Sequence, residues 1–145
     1  MQTFLGGTAG NSTWRKDIAI PILEAADVTY FNPQLGVGEW TPAHQQLEAN
    51  AKEASQVWLF VITGETRGVA SLVEAAYRIG NGGSIALAVI DIDEETLFDD
   101  QSLGENERKD LNRGRAYLRE VATQNGVPVF DNVAAASKYA ASLVQ

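Results

Sequence analysis

Four stretches of this 145-residue chain hold residue types that can do chemistry. Gly6-Gly7-Thr8-Ala9-Gly10-Asn11-Ser12 is a glycine-rich turn leading straight into a helical pattern. Glycines let a ligand approach the backbone, and a helix start offers free N–H groups to an anion or a sugar oxygen. The stretch is not GxGxxG and lacks the lysine of a phosphate loop, so a plain tight turn explains it equally well. Trp14-Arg15 follows at once, and both side chains have flat faces that stack on a base; ordinary packing of Trp14 against the sheet edge is the alternative. Asn32, Trp40 and His44 form a third group, although Asn32 also suits a turn with Pro33, Trp40 a staple at Thr41, and His44 a helix surface. Glu74, flanked by Val73, Ala75 and Ala76, is the fourth. Set against its helix's apolar face, it points sideways toward the mouth of a sheet, where a carboxylate can act on a bound ligand. Equally, Glu74 and Arg78 form an i, i+4 pair worth about 0.3–0.5 kcal/mol that implies nothing more.

The elements that must position these groups follow from periodicity. Thr3–Leu5 reads as a strand ending at Gly6-Gly7. In Thr13–Ala25 the apolar positions Ile18, Ile22 and Ala25 fit one face of a helix, with Ser12 or Thr13 as its cap and a kink or break at Pro21. Val28–Phe31 is a second strand, stopped at Asn32-Pro33. A loop with Gly36 and Gly38 leads to Thr41-Pro42, cap and first residue of a helix that runs to Ala54. Val57–Ile62 and Ile85–Ile90 are apolar on both faces, the mark of central strands in a covered parallel sheet. Between them Val69, Leu72, Val73 and Ala76 define a helix ending near Gly80. Asn106–Thr123, a strand at Val127–Phe130 and a helix at Asn132–Leu143 complete the chain. Five strands alternating with five helices predict one doubly wound α/β domain over residues 1–145, flavodoxin-like, with strand order 2-1-3-4-5. Ligands of such sheets bind beyond the carboxyl ends of the strands. That rule selects Gly6–Arg15, Asn32–Trp40, Thr63–Gly68 and the loop from Asp91.

Charge and composition narrow the partners. The net charge is −8, and eight acids fall between Asp91 and Glu107 without a lysine or arginine among them. The other eleven acids are balanced by the eleven bases, so nothing supplies a counterion-release term and a nucleic-acid polymer is not expected. Asp91, Asp93 and Glu95 alternate like calcium ligands, but the sixth and twelfth places of that loop hold Thr96 and Ser102 rather than glycine and glutamate, so a solvated acidic loop is expected. There is no cysteine and one histidine, which excludes thiolate sites and histidine-rich metal centres. No run approaches the roughly 20 apolar residues of a membrane span, and the start lacks the pattern of a signal peptide. A cytoplasmic protein without metal or cofactor is the expectation.

Taken in order, Phe4-Leu5-Gly6-Gly7-Thr8, Ser12-Thr13-Trp14-Arg15, Tyr30-Phe31-Asn32-Pro33, Trp40-Thr41-Pro42, Phe60-Val61-Ile62-Thr63, Gly68 and Ala70-Ser71-Leu72-Val73-Glu74-Ala75 resemble the nucleoside 2-deoxyribosyltransferase-like family over about residues 3–80. The resemblance implies a flavodoxin-like fold and attack by Glu74 at the anomeric carbon of a (deoxy)nucleoside or nucleotide. Displacing the base passes through an oxocarbenium-like state that a carboxylate stabilises and then traps; a second base gives transfer and water gives hydrolysis. It also implies that Gly6, Gly7, Thr8, Ser12, Trp14, Arg15, Asn32, Trp40 and Gly68 bind substrate, with Gly7 and the Ser12–Arg15 segment at sugar or 5′ groups and Asn32 and Trp40 on the base side, and that the protein forms a homodimer or larger homo-oligomer. The resembling transferases carry an aspartate six residues before the nucleophile, where this chain has Gly68. Glu65, on the same loop, and Glu48, 26 residues before Glu74, are the remaining acid–base candidates. The alternative is a non-catalytic nucleotide-binding or sensor domain that keeps the pocket.

Overall fold

The structure is a computed structural model that describes residues 1–9, 11–34, 40–98 and 101–144. Strands β1 (Thr3–Gly7), β2 (Tyr30–Phe31), β3 (Val57–Ile62), β4 (Ile85–Val89) and β7 (Val129–Phe130) form one all-parallel sheet in the order β2-β1-β3-β4-β7. This is the doubly wound, flavodoxin-like arrangement expected from the alternation of strands and helices. β1 registers on β3 from Thr3 opposite Val57 to Gly7 opposite Val61, and β3 on β4 from Trp58 opposite Ile85 to Ile62 opposite Val89.

Helices α1 (Ile20–Ala25), α2 (Pro42–Ala54), α3 (Val69–Gly80), α4 (Glu105–Gln124) and α5 (Val133–Leu143) cover the two faces. Leu5, Leu59, Val61, Ala86 and Ala88 pack with Trp14, Leu23 and the α5 residues Val133, Ala136 and Ala140 on one side. Phe4, Trp58, Phe60, Ile62 and Leu87 pack with Ala51 of α2, Ala75 and Ile79 of α3, and Leu118 and Ala122 of α4 on the other. Every residue of β3 and β4 is buried, as the continuous apolar runs demand.

Several boundaries differ from the sequence expectation. Both edge strands are shorter: β2 keeps only Tyr30–Phe31 because the Val28 N–H closes on the Leu23 carbonyl in the turn after α1, and β7 keeps only Val129–Phe130 because the Val127 N–H closes on Ala122. The first helix is not capped by Ser12 or Thr13; it starts at Trp14 without a side-chain cap and runs through a π-helical turn, Arg15–Ala19, before α1. Pro21, in the first turn of α1, has no N–H, and the wider turn takes up the interrupted ladder where a kink or break was expected. Thr41 caps α2 as expected, its hydroxyl accepting the His44 N–H, with Pro42 next. The acidic stretch holds a small antiparallel pair, β5 (Leu97–Phe98) with β6 (Gln101–Ser102), where an open loop was expected. Its acids find cations: Asp91 pairs with Arg119 at 2.9 Å, Glu94 with Arg108 at 3.6 Å and Glu107 with Arg67 at 2.7 Å. Gly10, Gly36, Gly38, Asp99 and Asp100 lie outside the described residues. No helix among those described is long and apolar enough to cross a membrane.

Candidate active site

Glu74 projects from the middle of α3 toward α2 and is not paired with Arg78. Its Oε2 accepts a 2.7 Å charge-assisted hydrogen bond from Nζ of Lys52, in the last turn of α2. The same ammonium lies 3.4 Å from Oε1 of Glu48, one turn earlier, and 5.6 Å from the centre of the Phe4 ring. Arg78 instead donates to the carbonyls of Ser84 and Gln56, its guanidinium 4.6 Å from the centre of the Trp58 ring. The expected i, i+4 pair is absent because Trp58 and the turn after α3 offer the guanidinium a flat face and two acceptors. Two carboxylates from different helices thus converge on one lysine. All three side chains remain a quarter to two-fifths exposed. A recess of about 320 Å³ opens beside them, lined by Trp40, Gln45, Glu48, Ala49 and Lys52.

The carboxyl end of β1 stands next to this groove and is fixed by a buried arginine. Arg15, 2 % exposed, gives Nε to the Leu5 carbonyl at 3.0 Å, one terminal nitrogen to Thr8 at 3.1 Å and the other to Gly7 at 3.3 Å. Burial pushes its pKa down to about 10, offset in part by the charge of Glu48, so it stays a cation at neutral pH. Trp14 is buried too, its indole N–H on the Thr8 carbonyl at 3.1 Å and its ring 4.3 Å from the Arg15 guanidinium. Thr8 ties β1 to β3: its hydroxyl meets that of Thr63 at 2.9 Å and accepts the Thr63 N–H at 3.0 Å. Gly7 is required by geometry, since φ is 115° and a Cβ would fall 2.0 Å from the Val61 carbonyl oxygen. Gly6 instead leaves room for the rings of Phe60 and Phe4.

A wider cleft, about 420 Å³, lies at the carboxyl ends of β1, β3 and β4. Asn11, Ser12, Trp14, Thr63, Glu65 and Asp91 are among its lining residues. Glu74 is not. The candidate residues therefore divide: Ser12, Trp14 and the exposed Glu65 line the strand-end cleft, Glu48 and Trp40 line the recess beside α2, Glu74 lines neither and reaches that recess through its bond to Lys52, and Gly6, Gly7, Thr8 and Arg15 are taken up at the carboxyl end of β1. Asn32 is exposed, its Oδ1 accepting the Gln34 N–H in a local turn. Gly68 begins α3 in the left-handed region, φ 71°, with Thr8 Cγ2 3.2 Å from where a Cβ would stand. The strand-end cleft is roomier than the recess beside α2, about 420 against about 320 Å³. The clustering of two carboxylates with a lysine marks a second place, between α2 and α3, where charged side chains meet.

Two residues of consequence escape a sequence reading. Lys52 had a signal, because Glu48 and Lys52 are spaced i, i+4 in the favourable order, but nothing in the sequence says that a carboxylate from α3 joins them. Arg115 sits on the apolar stripe Leu111, Arg115, Leu118, Ala122 and is fully buried. It donates to the carbonyls of Thr63 at 2.8 Å, Thr66 at 2.9 Å, Arg67 at 3.1 Å, Ile90 at 2.9 Å and Leu111 at 3.4 Å. All five N–H groups of the guanidinium are matched, and the loop between β3 and α3 is pinned by them.

A family model described as nucleoside 2-deoxyribosyltransferase like matches residues 1–92. The chain belongs to that family. No individually curated protein matches it. The family match runs from β1 through β4 and so takes in Glu48, Lys52, Glu74 and the β1 end, the groove included. Arg115 and Arg119, which brace the loops after β3 and β4 from α4, lie outside the matched part of this nucleoside 2-deoxyribosyltransferase-like chain.

Proposed function

We propose that this protein breaks the N-glycosidic bond of a (deoxy)nucleoside or nucleotide with Glu74 as nucleophile, passing the sugar to a second base or to water. Membership of a family described by deoxyribosyl transfer supports glycosyl transfer on nucleosides as the class of chemistry. The observation that carries the assignment to a residue is the convergence of Glu74 and Glu48 on Lys52 in an open groove. As the bond from C1′ to the base lengthens, the sugar gains oxocarbenium character. A carboxylate then stabilises the charge and closes on C1′ as a glycosyl ester. Glu48 and the exposed ring of Trp40, on the rim of the same recess, are placed to contact the base. Arg15 serves by holding the β1 carbonyls, since it is buried and turns three of its N–H groups to them. No step calls for a metal or redox cofactor.

Gly68, standing where the resembling transferases have an aspartate, favours the second reading: a non-catalytic nucleotide-binding or sensor domain. Incubation with a panel of ribo- and deoxyribonucleosides and their 5′-phosphates, followed by chromatography for free base, separates the two. Release of base from at least one member is the expected result. Binding to a panel member with no release from any would establish the sensor instead.

A homodimer is also expected. Val69, Val73 and Tyr77 repeat at i, i+4 and i+8 along α3 and are 57–69 % exposed, an apolar stripe on the helix that carries Glu74. Light scattering at roughly 50 μM, where even weak dimers populate, should give twice the chain mass, and Val73→Asp with Tyr77→Asp should give the monomer. A wild-type monomer at that concentration contradicts the assignment.

A further inference from the structure

A base that leaves C1′ takes the bonding electron pair onto its ring, and a donor that meets that charge speeds departure by roughly 10²–10⁴-fold. Gly68 has no side chain with which to do so. Among the described residues the charged groups beside the recess are few: Glu48 and Lys52 from α2, Glu74 from α3, and Arg15 beyond Glu48. The two carboxylates only accept when ionised. Arg15 is 2 % exposed and turns three of its N–H groups to the carbonyls of Leu5, Gly7 and Thr8, and Arg78 turns away to Ser84 and Gln56. Lys52 remains. Its ammonium has three donors, two directed at Glu74 and Glu48, which leaves one for a ligand in the recess it lines.

Building on the reading of Glu74 as nucleophile, we propose that Lys52 is the proton donor to the departing base. The step balances as follows. The C1′–N bond breaks with its electron pair going to the base, the ammonium of Lys52 gives that base a proton, and an oxygen of Glu74 bonds to C1′. When water or a second base attacks C1′, the ester bond to Glu74 breaks and the proton lost by the attacker returns to the Lys52 amine. Glu48, Lys52 and Glu74 together carry one net negative charge, so the ammonium does not abolish the attraction for an oxocarbenium-like sugar. Burial lowers the Lys52 pKa, but hydrogen bonds and charge from Glu74 and Glu48 outweigh it and raise the pKa overall. The proton is therefore held at neutral pH and passes late, once the base has taken on charge.

The experiment compares release rates across nucleosides whose bases differ in leaving ability, N7-methylguanosine included because its base departs uncharged without protonation. Lys52→Met should slow the ordinary nucleosides by about 10²-fold or more and N7-methylguanosine by less than about 5-fold. Lys52→Arg, which restores a cation between the carboxylates but gives up a proton far less readily, should stay slow on the ordinary nucleosides and fast on the methylated one. Melting curves of both variants confirm that they fold. Equal losses on all substrates, or full restoration by Lys52→Arg, would overturn the proposal and leave Lys52 as a structural ion-pair partner. Release of base from no substrate by the wild-type protein would overturn the glycosyl-transfer reading itself, and this assignment with it.

Discussion

Arg115→Met is expected to cost about 3–5 kcal/mol of stability, since it takes the donor from several buried carbonyls at once. The guanidinium is wholly buried and meets five carbonyls, of Thr63, Thr66, Arg67, Ile90 and Leu111. A methionine fills the volume but leaves those oxygens without their donor, and each unpaired buried acceptor costs about 1–3 kcal/mol unless water enters. Burial lowers the Arg115 pKa chiefly through desolvation, and among the described residues no carboxylate bonds to it, so its stability contribution comes from hydrogen bonds to carbonyls rather than from an ion pair. Arg115→Lys should fall between, because an ammonium has three donors for five acceptors. Urea unfolding measures both. A loss under about 1 kcal/mol for the methionine variant would mean that the loop after β3 finds other partners.

Glu74→Gln is expected to reduce base release by at least about 10³-fold while barely moving the melting temperature. Glutamine keeps the size and one acceptor oxygen, so the contact to Lys52 survives as a hydrogen bond from the ammonium to an amide oxygen. What disappears is the charge that stabilises the sugar cation and the oxygen that bonds to C1′. The stability cost is small because the Lys52–Glu74 pair is partly open to solvent, where such pairs are worth about 0–1 kcal/mol. Nucleoside binding should persist, since Trp40 and the β1 segment are untouched. Retention of the parent rate by this variant would place the chemistry elsewhere, and the strand-end cleft with Glu65 would be the next site to test.

Those two residues also mark the boundary of what the sequence discloses. The sheet was legible because β3 and β4 are apolar on both faces, and that pattern has few other meanings. The start of α2 was legible because Thr41-Pro42 is a local signal that needs no partner. Glu74 could be placed on its helix, but its partner could not: a choice between Arg78 at i+4 and Lys52 on another helix is decided by what else competes for Arg78. Here the Trp58 ring and the Ser84 carbonyl win that competition. Arg115 was hidden for the opposite reason, since a buried arginine violates the pattern of its own helix and is justified chiefly by distant carbonyls, those of Thr63, Thr66, Arg67 and Ile90. The π turn before Pro21 likewise follows from a ladder that the proline interrupts, and sequence shows the interruption without the remedy.

The central claim is that Glu74 bonds to the sugar, and mass spectrometry tests it most directly. The protein is quenched in acid during turnover of a nucleoside identified by the panel, digested, and the peptides are weighed. The account predicts a peptide containing Glu74 heavier by one glycosyl group in the wild type and unmodified in Glu74→Gln. Base release with the adduct on any other residue, or at an undiminished rate in Glu74→Gln, would contradict it.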